Sequence, residues 1–500
     1  MSPGGRRLSP AVLDPVAAGL VALVVYALHG FETSLGRDPA TFVYGGQRFV
    51  DGVPPYQGIF NSVGPLGDMA AGVGIRLGRL VGLDDVTGAR LLYLLLSAAC
   101  VAALSVLARH ALSSRAAGLL APAVFLTFAG FSELATAGPR EKTVMVLCLE
   151  VALLLLLRRR WFGAGVLTAL AALTWQPAIL PLAAAAAAAI LVSADRRLRA
   201  AAAYVGGGLV PTVVMVAYFA AEGASKPAWW GFVRVNVGYT TQPTILDSWQ
   251  LLADDYRWFL ALVLLGCALS IALAVRALVH SRRRGGFTDV ERAIVVLGTG
   301  AIVSGLWSCY AINGAGDLFV VLPFAAVGVA AALVELGSRL SPIAARRLWV
   351  ATAVVAVASS CVAAVVTRDT GLPAERRNVT RMLAAVPPGS TLQSFYAPEV
   401  PVLAHRRNPD PWQLSNEAIT TFLDDHLPGG LAGYADQVSR SQPALIVVGR
   451  NATIDWLRPV LDREYARVGR GAHWTWYASR SLGHRVLHHL HEVNRATADH

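Results

Sequence analysis

The sequence predicts an α-helical polytopic membrane protein that ends in a small α/β domain, and three observations carry that prediction. The 500-residue chain is 55% hydrophobic and 15% charged, with mean hydropathy +0.51, so the bilayer is the solvent to reason with. Apolar runs of roughly 17 to 22 residues recur up to position 367, long enough to span ~30 Å of hydrocarbon at ~1.5 Å per residue. From Arg368 the composition changes to that of an ordinary soluble module.

The net charge of +11 does not point to nucleic acid, because the basic residues sit in short clusters between apolar runs and read as a topology signal. Lys142 and Lys226 are the only lysines. Cys100, Cys148, Cys267, Cys309 and Cys361 all fall inside apolar runs, which implies neither a disulfide framework nor a CxxC metal site. The first run, 11–30, follows Arg6-Arg7 without a small-residue cleavage site, so it reads as an anchor and not a signal peptide.

About eleven crossings can be laid out, near 11–30, 88–108, 116–132, 143–157, 161–175, 177–193, 201–221, 258–279, 290–308, 318–336 and 348–367. Arg109 and Arg115, Arg158 to Arg160, Arg196-Arg197-Arg199, Arg282 to Arg284, and Arg339 with Arg346-Arg347 then all share the side of the N-terminus. That is the positive-inside pattern, with the N-terminus in the cytoplasm and the C-terminal part outside a cytoplasmic membrane. Residues 1–367 form the membrane domain, 368–483 the outer α/β domain and 484–500 a His-rich tail.

The first outer loop, 31–87, is expected to hold two interfacial helices. Asp38-Pro39 reads as a helix start, since an Asp side chain accepts from first-turn amides and Pro has no amide to waste there. Phe42, Val43, Gly46, Phe49 and Val50 then share an apolar face, with Gln47, Arg48 and Asp51 opposite, before Gly52 and Pro54-Pro55 stop the helix. The stretch 65–82 carries Asp68, Arg76, Arg79 and frequent glycines, so it reads as a second interfacial helix packed closely on its neighbours. Trp229-Trp230, Tyr239, Trp249, Tyr256 and Trp258 in the loop 222–258 read mostly as headgroup-level anchors. Beyond 368, a helix is expected near 375–385, strands at 391–397, 443–449 and 474–477, and a helix near 455–464.

Candidate chemistry lies in the outer loops. Asp38 has two accounts that the sequence leaves even: a helix cap, or a carboxylate at a cavity mouth that takes the proton from an attacking hydroxyl. The second outer loop supplies Glu133, Arg140, Glu141 and Lys142, and cations there would suit a leaving phosphate, although taken alone these residues read better as a solvated loop whose charges pair with one another. Gln176, Tyr239, Asn313 and Asp317 are further pocket candidates at helix ends. Glu150, in mid-crossing, is a costly carboxylate with either a transport or a packing role. A divalent metal is left open: Asp38, Glu133 and Glu141 could converge on one, and His484, His488 and His491 form a weaker group, but neither set has a coordination signature.

The run from Arg37 to Pro65 contains RD, then F-x-Y-x-G-Q, DG-x-P-P-Y and GP-L. It resembles the first outer loop of the GT-C superfamily of polyprenyl-phosphate-sugar-dependent glycosyltransferases, nearest to bacterial proteins similar to protein O-mannosyltransferases and aminoarabinose transferases. The resemblance implies a transferase with Asp38 as catalytic base of an inverting hexosyl or pentosyl transfer. It also implies Arg140 and Lys142 among the cations that hold a polyprenyl-phosphate donor, and a lipid, glycan or protein acceptor. Many relatives carry an acidic residue and a Lys where this chain has Asn61, Ser62 and Val63; that lysine's role would then pass to another cation such as Arg48, or the donor differs. A transporter or flippase, supported by Glu150, and a non-catalytic envelope-assembly protein are the competing expectations.

Overall fold

The computed structural model describes residues 9–240, 245–312, 314–413, 416–450 and 452–498; Arg6, Arg7 and Asn313 lie outside the described residues. Each predicted apolar run is helical. The order is α1 (Pro10–Leu28), then α2 (Arg37–Val50) and α3 (Leu66–Leu80) in the first long loop. There follow α4 (Asp85–Ala111), α5 (Arg115–Leu126), α6 (Ala129–Ala137), α7 (Glu141–Leu157), α8 (Trp161–Thr174), α9 (Ile179–Ser193) and α10 (Arg197–Ala221). Short α11 (Ser225–Trp229), a π-turn at Trp230–Arg234 and α12 (Val235–Gly238) precede α13 (Ile245–Arg284), α14 (Asp289–Tyr310), α15 (Leu322–Ser338) and α16 (Pro342–Val366). Among the described residues, seven helices are long and apolar enough to cross a membrane, and an eighth if the bent pair α5–α6 is counted as one. The protein is a multi-pass membrane protein.

The third run is not the straight crossing that its hydropathy predicts, because α5 and α6 meet at 71°. Thr127 turns its hydroxyl back onto the Val124 carbonyl at 2.6 Å, and the Phe128 amide closes a tight turn on Phe125. The rings of Phe125, Phe128 and Phe131 then pack edge to face across the corner. The short turn expected between the fifth and sixth runs is present as a 3₁₀ turn at Gln176–Ala178.

The two loop helices exist, but α2 differs from the expected interfacial helix with a wet face. Residues 39–48 are buried on all sides, because α3 covers one side and the C-terminal domain the other. Gln47 donates to Asp85 at 2.9 Å, and the Tyr44 hydroxyl accepts from the Asn408 amide at 2.8 Å. The α2–α3 crossing relies on missing side chains: a Cβ on Gly46 would sit 2.7 Å from the Gly72 nitrogen, and one on Gly45 would overlap the Asp68 carboxyl.

The C-terminal domain consists of α17 (Leu372–Ala384), β1 (Leu392–Phe395), α18 (Glu399–Ala404), α19 (Glu417–His426), α20 (Gly430–Ser441), β2 (Leu445–Gly449), α21 (Arg458–Glu464), β3 (Tyr465–Arg470), β4 (Trp474–Ser479) and α22 (His484–Ala498). The sheet order is β1-β2-β4-β3, with β1 parallel to β2 and the other pairs antiparallel. The sequence reading has no β3; its alternation is broken by a bulge between Arg467 and Gly469. The His-rich segment is not a free tail, since α22 packs on β3 and α17 and buries Leu490. Trp230 and Tyr239, expected at the headgroup level, instead pack against Phe422 of α19, whereas Trp229 and Trp258 are exposed.

Candidate active site

The segment that leads into α2 is clamped from two directions. From the bundle, buried Arg90 donates to the Phe31 and Thr33 carbonyls at 2.5 and 2.7 Å. From the C-terminal domain, Asp369 accepts from the Ser34 amide at 2.7 Å and Glu375 from the Leu35 amide at 2.8 Å. These contacts fix where α2 begins, and with it the position of Asp38. Gly36 is the N-cap, and no side chain caps the helix, so the capping account of Asp38 fails. Its carboxylate turns outward and accepts from Arg140, with the Arg37 guanidinium 3.9 Å away. The Asp38 side chain is 54% exposed, and that exposure opens into a cavity.

The cavity has a volume of about 630 Å³ and is walled by loops that lie far apart in sequence. Asp38, Thr41 and Phe42 come from α2, Asn61 to Val63 from the return loop and Arg140, Glu141 and Lys142 from the start of α7. Trp175 and Gln176, Asn236 and Thr240, Trp307, Gly316 and Asp317, and Asn416 to Ala418 complete it. Three polar side chains pin these loops to one point. Gln176 and Asn236 donate to the Ser62 carbonyl at 3.0 and 2.6 Å, and Asn416 donates to the Ser62 hydroxyl at 3.3 Å. Gly64 lets the return loop touch the end of α8: its amide reaches the Thr174 carbonyl at 3.2 Å, and a Cβ there would overlap the Leu173 carbonyl.

The charges form two paired units. Arg140 holds Asp38, and Lys142 donates to Asp317 at 2.7 Å with Glu141 at 3.4 Å and the Trp175 ring at 5.3 Å. Burial alone would raise the Asp38 pKa, but the charge and hydrogen bond of Arg140, then Arg37 and Lys142, outweigh it and hold the carboxyl below its ordinary value. Gly316 leaves room for the cations, since a Cβ there would stand 3.0 Å from an Arg140 terminal nitrogen. The Arg140 Nε and one Glu141 oxygen have no hydrogen-bond partner among the described residues.

A second cavity of about 850 Å³ also borders the Asp38–Arg140 pair and is lined by the start of α2, α6 and the C-terminal domain. It shares Arg37, Asp38 and Arg140 with the first, and the domain contributes Tyr396, Glu399, Gly449, Arg450 and His473.

Of the residues singled out by sequence, Asp38, Arg140, Glu141, Lys142, Gln176 and Asp317 meet at the first cavity. Arg48 is not among its lining residues: it is buried, paired with Asp51 at 2.9 Å and laid over Tyr44. Glu133 bonds the Tyr256 hydroxyl at 3.2 Å, and Tyr239 bonds Asp425 at 2.9 Å, both outside the lining of either cavity. Asn313 lies outside the described residues. Among the described residues no three His, Cys, Asp or Glu side chains are grouped to hold a metal ion. Arg37, Trp175, Trp307, Asn236 and Glu399 were not anticipated as site residues. Arg37, beside Asp38 in the RD pair, was the one with a local signal.

No protein-family model and no curated protein sequence matches the chain. Solved structures do. ArnT from Cupriavidus metallidurans in the apo state matches with a TM-score of 0.65 at 17% identity, over 95% of this chain and 100% of that one. The same protein bound to undecaprenyl phosphate matches at 0.64 and 17%, over 94% and 98%. The oligosaccharyltransferase of Archaeoglobus fulgidus, in complex with Zn and sulfate, matches at 0.47 and 13%, over 93% of this chain and 73% of that one. The chain has the GT-C fold.

Proposed function

We propose that the protein is a membrane glycosyltransferase that moves a sugar from a polyprenyl-phosphate donor to an acceptor hydroxyl on the outer face of the cytoplasmic membrane, with inversion. The observation that carries this reading is an exposed carboxylate, Asp38, in a cavity that also holds half-buried Arg140, buried Lys142 and the rings of Trp175 and Trp307. The ArnT fold, and the capture of ArnT with undecaprenyl phosphate, support a lipid-phosphate donor.

In this mechanism the donor sugar lies against Trp175 and Trp307, with its phosphate at Arg140 and Arg37. The acceptor oxygen attacks the anomeric carbon as the bond to the phosphate oxygen breaks. The phosphate leaves with the electron pair, and the acceptor proton passes to Asp38. Arg140 has two anions to serve in that complex. As it turns toward the phosphate, Asp38 loses the interaction that most lowers its pKa and becomes a stronger base at the moment one is needed. Lys142, held by Asp317 and Glu141, adds fixed positive charge to the same wall.

The test is transfer of radiolabelled sugar from a panel of polyprenyl-phosphate donors by the full-length protein in lipid nanodiscs, wild type against Asp38→Asn. Transfer from one donor, lost in the variant, is expected; absence of transfer from every donor overturns the reading. A transporter is the second reading. It rests on Glu150, fully buried in α7 with neither carboxyl oxygen hydrogen-bonded among the described residues. Loss of function on Glu150→Gln with Asp38→Asn still active would favour it.

A further inference from the structure

Helices α7 and α9 lead away from the first cavity, and α8 and α10 return toward it: Lys142, Trp175 and Gln176 border that space, and the Gly223 carbonyl just past α10 accepts from Gln57 of the first loop at 3.4 Å. The turns that join these helices therefore lie at the far end of the bundle, away from the C-terminal domain. Arg158, Arg159 and Arg160 occupy the first turn, and Arg196, Arg197 and Arg199 the second with the start of α10; all six are exposed. The two clusters are neighbours, because α8 and α10 pack backbone to backbone near their starts. A Cβ on Gly165 would overlap the Tyr204 carbonyl, and one on Gly207 the Phe162 carbonyl.

Other arginines of that end are tied to acids. Arg109 and Arg115 hold Asp14 at 3.1 and 2.8 Å, Arg276 and Arg339 share Glu335, Arg284 pairs with Glu291 and Arg292 with Asp289. None of the six has an ion pair among the described residues; Arg197 spends one donor on the Leu191 carbonyl at 3.0 Å, and Asp195 is the single acid in either turn. Their depth is set by short helices. With 17 and 14 residues, α7 and α8 rise ~25 and ~21 Å against ~30 Å of hydrocarbon, which holds the turn between them at the level of lipid phosphates and not in open water. Leu198 is 88% exposed between Arg197 and Arg199, and Phe162 is 52% exposed just after Arg160. Such side chains gain nothing beside a free ion, but they can enter the acyl layer below a headgroup.

We propose that the two clusters together bind a phospholipid with two phosphates, such as cardiolipin, in the leaflet at that end, one phosphate at each cluster and Leu198 and Phe162 against its acyl chains. Guanidinium forks suit phosphate oxygens, and three unpaired arginines on each side match a two-phosphate headgroup better than a single charge. This site is independent of the sugar-transfer reading, and its failure leaves that reading untouched.

The experiment is native mass spectrometry of the full-length protein released from phosphatidylcholine nanodiscs that contain a graded fraction of cardiolipin, or of phosphatidylglycerol at equal phosphate content. One cardiolipin per protein should be retained saturably and at least about tenfold more tightly than either other lipid, the scale of one charge-assisted contact. Arg158→Gln with Arg160→Gln, and Arg196→Gln with Arg199→Gln, should each weaken retention about tenfold with an unchanged melting profile. Arg282→Gln with Arg283→Gln removes the same charge from the end of α13, near the acidic start of α14, and should leave retention intact. Inorganic phosphate should not displace the lipid. No saturable retention by the wild type, equal retention of phosphatidylglycerol, equal loss in the Arg282 and Arg283 variant, or displacement by inorganic phosphate would overturn the proposal. The wild-type comparison of lipids decides even where a variant fails to insert.

Discussion

The rim of the first cavity and the seat of the C-terminal domain both place ionisable groups at the end of one helix bundle, but they stabilise those groups by opposite means. On the rim two carboxylates face cations: Asp38 with Arg140, Asp317 with Lys142. In the seat the carboxyls of Glu375 and Glu399 are buried, Glu375 accepting a backbone amide, and burial pushes them up to about 7 and about 8. On the rim the Arg140 charge outweighs burial and holds the Asp38 carboxyl below its ordinary value, whereas the seat is held best when its carboxyls carry protons.

The comparison can be broken most forcefully at Asp38. If Asp38 is the proposed base, Asp38→Asn should lower kcat by about 10²–10⁴-fold with an unchanged melting profile, since its side chain takes no part in the clamp on residues 31–35. Arg140→Gln should cost about 10²–10³-fold. It should also move the acid limb of the pH–rate profile upward, because removing the cation leaves burial, which raises the Asp38 pKa, less opposed. A limb that stays in place would mean that Arg140 does not set this carboxylate. Gly64→Val tests construction and not chemistry. With the Leu173 carbonyl in the way, the return loop must shift, and a loss on the order of 1–3 kcal/mol should appear as a lower melting temperature.

The smallest effect belongs to the seat. Glu375 and Glu399 have folded pKa values above the ordinary 4.5, so their contribution to stability is fully present below that value and is lost as pH rises through about 7 and then about 8. The domain, followed by fluorescence of buried Trp474 and Trp476, should melt a few degrees lower at pH 9 than at pH 6, and Glu375→Gln should flatten that slope. A midpoint that rises with pH would contradict it.

The membrane bundle was legible because a lipid-facing helix must be apolar along its whole length, and each of the eleven runs is helical. The corner at Thr127 was not, because hydropathy is blind to a hydroxyl that folds back on its own helix. The first outer loop gave the two helices and Asp38, while Arg48 was misjudged for a specific reason: helical spacing puts it on the polar face of α2, but nothing local says that the C-terminal domain covers that face. Glu133 shows the same limit, since adjacency to Arg140 in sequence did not place it at the cavity. Of the second cavity only Asp38 and Arg140, which it shares with the first, stood out in the sequence. Its residues come from five separate stretches, and Glu399 sits in the apolar segment EVPVLA as a single carboxylate.

The convergence of Gln176, Asn236 and Asn416 on Ser62 means that the first cavity cannot be remodelled one loop at a time. Moving residue 62 drags the α8–α9 corner, α12 and the start of α19 together, so substitutions that reshape this space will be better tolerated at Thr240 or Ala418, which border it without bearing that joint.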